Sequence, residues 1–168
     1  MRSSNSEGSR TTLSHLGYCL LISMLGILFF ANHLDNPFQF DSVAYIANNP
    51  NLKHPETLLT FEFWQKEFLW RGLLRMSFAL NAYLDGLNPF GYHLFNLWLH
   101  ILNGVLLYFV LGKTLKYIFL ESMAGNHKRI RFVSFFAAVL FLCHPIQTEA
   151  VVYIISRSEV MASSFYLG

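Results

Sequence analysis

The stretch YHLFNLWLHILNGVLLYFVL, residues 92–111, decides the fold class. It carries no formal charge, and about 20 apolar residues in helical form cross the hydrocarbon core of a bilayer. A few of its side chains are nevertheless polar. His93, Asn96, His100 and Asn103 recur at steps of 3, 4 and 3, which places them on one face of a helix. Polar groups at membrane depth are costly and therefore have partners or tasks. Hydrogen bonding between helices is the ordinary use of Asn and His there. A rise of about 1.5 Å per residue carries Asn96, His100 and Asn103 steadily away from the outer end, so interhelical bonding is the reading adopted for these three. His93, nearest that end, fits this role and a role in a site equally. No clustered carboxylate accompanies the histidines, so no metal site is read from them.

Composition agrees with a membrane protein. The 168 residues are 54% hydrophobic, 17% aromatic and 13% charged, against roughly 25% charged in soluble domains. A soluble core of this length has no room for so many Phe, Leu and Tyr side chains. The net charge of +2 is small and scattered, which argues against nucleic acid as a partner. Cys19 and Cys143 fall in separate apolar runs, expected at opposite membrane faces, and supply no disulfide framework.

Working outward from residues 92–111, a first span is expected at 13–31, LSHLGYCLLISMLGILFFA. It is longer than the h-region of a signal peptide (about 7–15 residues) and no clean A-x-A site follows, so it reads as retained. Residues 1–12, MRSSNSEGSRTT, read as a disordered tail. Residues 32–88 form a long connection punctuated by the turn signals NNP, HPE and LNPFG. Inside it, Leu73 to Asp85 reads as a helix too short to span. Its polar stripe of Ser77, Asn81 and Asp85 suits an interfacial helix or one packed on the bundle. A third span, 132–146, follows the basic cluster HKRIR and breaks at His144-Pro145. TEAVVYII then opens a short helix, and Ser156 with Glu159 has capping-box spacing, so a fourth span is expected to begin near 157. The expected fold is all-α: a polytopic transmembrane helix bundle with a long outer loop carrying a short interfacial helix.

Alternating spans place Arg2, Arg10, Lys113, Lys116, Lys128, Arg129 and Arg131 on one side, with Glu7 and Glu121 as its acids. By the positive-inside rule that side, with the amino terminus, is cytoplasmic. Asp35, Asp41, Glu56, Glu62, Glu67 and Asp85 then lie outside, as does the segment from His144 to Arg157. Chemistry is expected on that outer face. No Walker loop, Rossmann glycines, zinc-type Cys/His spacing or G-x-S-x-G is present.

The outer segments hold the candidate residues, each with a structural alternative. Asp41, in FQFDSVAYIANNPNL (38–52), is either a helix N-cap or a catalytic acid. Arg71 and Arg75, one turn apart, form either a phosphate clamp or a snorkelling pair. In HPIQTEAVVYIISRSEV, Glu149, Arg157 and Glu159 surround the apolar VVYII with His144 upstream. Glu149 is also a natural first-turn acid and Glu159 a capping-box partner.

The motifs FDSVAYIANNPNL, FW, WRGLLRMSFALNAYLDGLNPFGYHLFNLWLHILN and HPIQTEAVVYIISRSEVMA, in this order, resemble the amino-terminal membrane part of a known family. These are the polytopic GT-C class glycosyltransferases fused to tetratricopeptide repeats, the transmembrane-and-TPR-containing O-mannosyltransferases and their bacterial relatives. The resemblance covers nearly everything from Asp35 onward. It implies a partial GT-C-like fold and transfer of a sugar from a polyprenyl-phosphate donor to a hydroxyl on a protein or glycan acceptor. It further implies Asp41 as the catalytic residue, Arg71 and Arg157 at the donor phosphate and Glu159 in support; Arg75, His93, His144 and Glu149 join as supporting candidates from their placement. No metal ligand is assigned; the cofactor is unknown, a divalent metal being compatible but not indicated. Two positions depart from the family pattern. Ser42 stands where relatives commonly carry a second acid, which weighs against acid-pair chemistry and leaves Asp41 as a base. Gly72 stands where relatives commonly read Arg-Pro-Leu.

No 34-residue periodicity marks repeat units. The chain is therefore expected to be an amino-terminal piece of such an enzyme, inactive alone, in contact with membrane lipid. The wording of LNPFGYHLFNLWLH suggests the bacterial inner membrane ahead of the endoplasmic reticulum. The alternative function is a non-enzymatic membrane module, a transporter or assembly-subunit fragment that binds lipid-linked sugar. Transporters place their polar groups near the midplane, whereas the ionisable groups here gather at the outer edge. A further alternative is a degenerate gene fragment with no function of its own.

Overall fold

The computed structural model describes residues 3–53, 60, 65, 71–119 and 126–168, with side chains described for 14–50, 52, 60, 65, 71–119 and 126–168. Glu56, Glu62, Glu67, Glu121 and the Phe63-Trp64 pair, along with the side chains of Arg2, Glu7 and Arg10, lie outside them. Among the described residues the regular structure is all helical. Helix α1 runs Ser3–Phe30, so its backbone is helical through most of the polar stretch expected as a tail. A 3₁₀ turn, Ala31–His33, ends it, and a π-type turn, Val43–Ala47, follows a few residues later. Next come α2 (Pro50–Lys53), α3 (Gly72–Asp85), α4 (Pro89–Ile118), α5 (His127–Leu142), α6 (Gln147–Val152) and α7 (Arg157–Leu167).

Two helical segments, Ser14–His33 and Pro89–Ile118, are long and apolar enough to cross a membrane. The start of α4 is written in its sequence. Asn88 accepts the Phe90 amide at 3.2 Å, and Pro89 fills the first helical position, where a missing N–H costs nothing. Helix α5 has 16 residues, about 24 Å at 1.5 Å per residue and short of a hydrocarbon core of about 30 Å. It begins earlier than the expected 132, at the Asn126 cap, and stops at Leu142 instead of 146. His144 stands before Pro145, and a residue in that position is turned away from helical geometry.

Helices α1, α4 and α5 pack around Ile22, Tyr108, Ala138 and Leu142. Their outward faces are as apolar as the core. Leu20 and Leu28 on α1, Trp98 on α4 and Phe136 and Leu140 on α5 are each more than half exposed, the reverse of a soluble surface and the arrangement lipid selects. Helix α3 packs on this bundle instead of lying apart in the interface. Its Leu74, Phe78 and Ala82 join Ile46, Leu52, Tyr92 and Ile154 in a second cluster.

Close approach of α1 to α4 and α5 depends on glycine. A Cβ at Gly26 would sit 2.7 Å from Cγ1 of Ile101, and one at Gly104 3.0 Å from Cδ1 of Leu142. Small residues at such crossings let backbones meet where lipid offers no hydrophobic drive. Gly26→Val is expected to destabilise the bundle by about 1–3 kcal/mol, the usual cost of overpacking. The thermal unfolding midpoint in detergent measures it; an unchanged midpoint would refute this packing.

Candidate active site

The site is built on broken helices. Between Leu142 and Arg157 the chain stops, turns, makes the short α6, passes a 3₁₀ turn at Ile154–Ser156 and starts α7. Each break leaves carbonyls without an intrahelical donor. The polar face of α4 supplies donors. The Nε2–H of His100 donates to Leu142 O at 3.0 Å, and Asn96 Nδ2 lies 3.4 Å from both Val151 O and Ile154 O. Asn103 Nδ2 donates to Val160 O at 2.9 Å, while its Oδ1 accepts from Ser164 Oγ at 2.7 Å. All three side chains are buried. The interhelical bonding expected from their spacing is what the structure contains.

Arg157 occupies the centre of this junction and is fully buried. Its Nε donates to Asn96 Oδ1 at 2.7 Å, Nη1 to Ser77 Oγ at 3.1 Å and Nη2 to Tyr92 O at 3.0 Å. The guanidinium carbon stands 4.4 Å from the ring centre of Phe78 and 4.6 Å from that of Phe95. Its hydrogen-bond partners among the described residues are uncharged, so ring faces and oriented dipoles carry the solvation of the cation. Because Ser77, Tyr92 and Asn96 lie on α3 and α4, one side chain ties α7 to both. Two of the three stripe positions of α3 are buried: Ser77 against Arg157, and Asn81 against the start of α4, its Nδ2 donating to Gly91 O at 3.1 Å.

The Asp41 turn is built differently from a helix cap. Phe40 has φ 50°, a left-handed conformation that costs a non-glycine residue roughly 1–2 kcal/mol. Ser42 holds it there. Its buried hydroxyl accepts the Gln39 amide at 2.7 Å and donates to Gln39 O at 2.5 Å. The Asp41 amide donates to the Tyr153 hydroxyl at 3.3 Å, and the Phe40 ring meets that of Tyr153 edge-on. The Asp41 carboxylate is exposed and has no hydrogen-bond partner among the described residues. The N-cap role is therefore not realised. An ionised carboxylate at 42 has no proton to give Gln39 O and would be buried.

A cleft of about 670 Å³ opens beside this turn, walled by residues 36, 37 and 39–42 on one side and by Thr148, Glu149 and Tyr153 on the other, with His93 contributing from α4. His93 Nε2–H donates to Asn36 O at 3.0 Å, which pins the loop to α4; its Nδ1 is buried without a partner among the described residues. The structure thus brings together Asp41, His93 and Glu149. It does not bring the other candidates to this cleft. Arg71 is exposed at the start of α3 with φ 61°, and its carbonyl accepts the Arg75 amide. His144 is exposed, its Nδ1 accepting the Ile146 amide at 3.2 Å. Glu159 is exposed in the first turn of α7, and the capping box expected with Ser156 does not form. Ser156 closes the 3₁₀ turn with ψ near 1°, outside the extended geometry a capping side chain needs. Tyr153 was not among the candidates; its one signal is a hydroxyl inside the otherwise aliphatic VVYII.

Among the described residues no three His, Cys, Asp or Glu side chains converge as a metal-ligating group. Asp41 and Glu149 are the carboxylates on the cleft wall, and carboxylate oxygens of this kind suit hard divalent cations.

The chain is similar to several curated proteins. It is 32% identical to Protein O-mannosyl-transferase TMTC1 of Homo sapiens over 166 residues, 92% of this chain and 18% of that protein. It is 35% identical to Protein O-mannosyl-transferase TMTC2 of Homo sapiens over 159 residues, 88% of this chain and 17% of that protein. It is 30% identical to Protein O-mannosyl-transferase F38B6.6 of Caenorhabditis elegans over 159 residues, 89% of this chain and 22% of that protein. The chain thus spans about a fifth of the length of these relatives. No family model matches it, and no solved structure does.

Two substitutions test the geometry. Ser42→Ala removes both hydroxyl bonds of the Asp41 turn, and the opening free energy at the Gln39 amide is expected to fall by roughly 1–3 kcal/mol. Hydrogen exchange at that amide reads the change, with the helices unaffected. Asn96→Leu strips Arg157 of its shortest acceptor in a dry interior and is expected to cost about 2–3 kcal/mol of global stability. A fully stable Asn96→Leu protein would show that the guanidinium is solvated by other means.

Proposed function

We infer that this chain, which belongs to the TMTC protein O-mannosyl-transferase family over the stretch just compared, forms the catalytic-acid end of a membrane glycosyltransferase. The reaction is transfer of a sugar, mannose by the relatives' names, from a polyprenyl-phosphate donor to a hydroxyl of a protein acceptor. The acceptor oxygen attacks the anomeric carbon as the bond from that carbon to the donor phosphate breaks. The phosphate leaves with the electron pair, and the Asp41 carboxylate takes the hydroxyl proton.

One observation carries this reading. The Asp41 carboxylate is presented on a strained, serine-clamped turn at the wall of a cleft, with no protein group of the described residues engaging it. An acid held only for structure would be expected at a cap or in an ion pair. Glu149 faces the same cleft and is assigned to the acceptor or sugar hydroxyls, and His93 to holding the cleft loop on α4. Charge developing on the leaving phosphate requires a cation. No arginine or lysine is among the described residues lining the cleft, so that cation is not assigned to Arg71, which stands outside it at the start of α3; Arg157, spent on Asn96, Ser77 and Tyr92, is assigned to the scaffold. The cleft end is assigned to the outer or lumenal face and the amino terminus to the cytoplasm, following the distribution of basic residues.

The test is Asp41→Asn in the full-length protein, assayed for mannose transfer from polyprenyl-phosphate mannose to an acceptor protein. Loss of a general base is expected to lower the rate by about 10²–10⁴-fold at unchanged membrane abundance. Ordinary transfer by this variant would remove Asp41 from the mechanism and leave binding of a lipid-linked sugar as the surviving function.

A further inference from the structure

At the end of α4 away from the cleft lies a second cavity of about 300 Å³, lined by His15 of α1, by Tyr108, Lys113 and Lys116 of α4, and by His127 and Arg131 of α5, with neighbouring apolar groups. Lys113 is 20 residues beyond His93 in the same helix, about 30 Å at 1.5 Å per residue. That distance matches the hydrocarbon thickness of a bilayer. The two cavities therefore sit one membrane thickness apart, and this one opens at the depth of lipid headgroups.

The lining is one-signed. Three permanent cations from two helices, Lys113 and Lys116 exposed and Arg131 half-buried, line one concavity with two histidines, and among the described residues no carboxylate lines it. Snorkelling explains basic side chains that fan outward from helix ends. It does not explain why Arg131 turns in, half-buried, while Lys128 and Arg129 of the same turn are exposed and take no part in the lining. Converging like charges repel, and low-dielectric walls focus their field, so the concavity is suited to an anion. The walls are also shaped. His15 Nδ1 and the Tyr108 hydroxyl are hydrogen-bonded at 2.6 Å, which fixes one side, and Gly112 leaves another free of a side chain.

We propose that this cavity binds the phosphate group of an anionic membrane phospholipid, with Lys113, Lys116 and Arg131 as its ligands. The class of anion follows from depth. A lipid phosphodiester already lies at this level, and basic pockets between membrane helices suit such headgroups. The proposal is independent of the sugar-transfer reading, since it uses no residue of the Asp41 cleft.

The test is native mass spectrometry of the full 168-residue chain in detergent with added phosphatidylglycerol, phosphatidylcholine or inorganic phosphate. The expected result is retention of phosphatidylglycerol in preference to phosphatidylcholine. Lys116→Gln combined with Arg131→Gln is expected to weaken that retention roughly thirtyfold, taking about 1 kcal/mol per cation. Lys128→Gln with Arg129→Gln removes the same charge outside the cavity and is expected to leave retention nearly unchanged. Equal loss in both pairs would overturn the proposal in favour of diffuse surface charge. Displacement of the lipid by inorganic phosphate would support the phosphate site while assigning its occupant to a free anion. Equal retention of both lipids would overturn it outright. Thermal unfolding of both double variants separates lost binding from lost folding.

Discussion

Backbone carbonyls exposed by helix breaks in a packed interior must find donors, and the architecture of this chain follows from that requirement. The carbonyls of this segment that are packed among the helices are cut off from water, and each one left unanswered costs several kcal/mol, as a rule of thumb. Between residues 142 and 157 the chain breaks repeatedly. The cost is offset by His100 and Asn96, aimed from α4 at carbonyls of the broken segment, and Asn103 ties the following helix α7 to the same face. This pairing gives the bundle its register, since a displacement of α4 by one residue would turn every one of those donors off the shared face.

The same junction positions the cleft. Arg157 draws α3 and α7 onto α4 through Ser77, Asn96 and Tyr92, and Tyr153 stands shortly before it, at the end of α6. Tyr153 in turn accepts the Asp41 amide. A chain of contacts therefore leads from a buried cation to the carboxylate at the cleft, through groups that are rigid because they are packed. The backbone at Asp41 is thereby held while its carboxylate is left without a neighbour among the described residues, the arrangement the proposed role would use.

Much of this was legible in the residues and some was not, for identifiable reasons. The polar face of α4 announced itself because polar groups at helical spacing in an apolar run have few innocent explanations. Its acceptors could not be read, because a backbone carbonyl has no side-chain signature. Asp41 was singled out and lines the cleft, yet its reading as a cap failed, since the strained turn at Phe40 replaces an ordinary helix start. Ser42 stood out only as a missing acid; its role in clamping Gln39 is a property of the turn's geometry. Arg157 sits in the polar-looking SRSEV, which gives no hint of complete burial. Its aromatic neighbours Phe78 and Phe95 come from distant segments, so no local pattern could disclose them. Tyr153 was overlooked because its hydroxyl lies within a run that reads as aliphatic.

The sequence separation of these bonds has a consequence for synthesis. Asn96 and His100 emerge from the ribosome well before their acceptors, which lie 55 and 58 residues later for Asn96 and 42 residues later for His100. At typical elongation speeds of about 5–20 residues per second, the wait is roughly 2–12 s. During that interval the most apolar helix of the chain also bears a row of unanswered donors, so it is a poor guest of pure lipid. Its passage from the insertion machinery into the bilayer is thereby tied to the arrival of residues 142–157, and the order of translation becomes part of how the bundle is assembled.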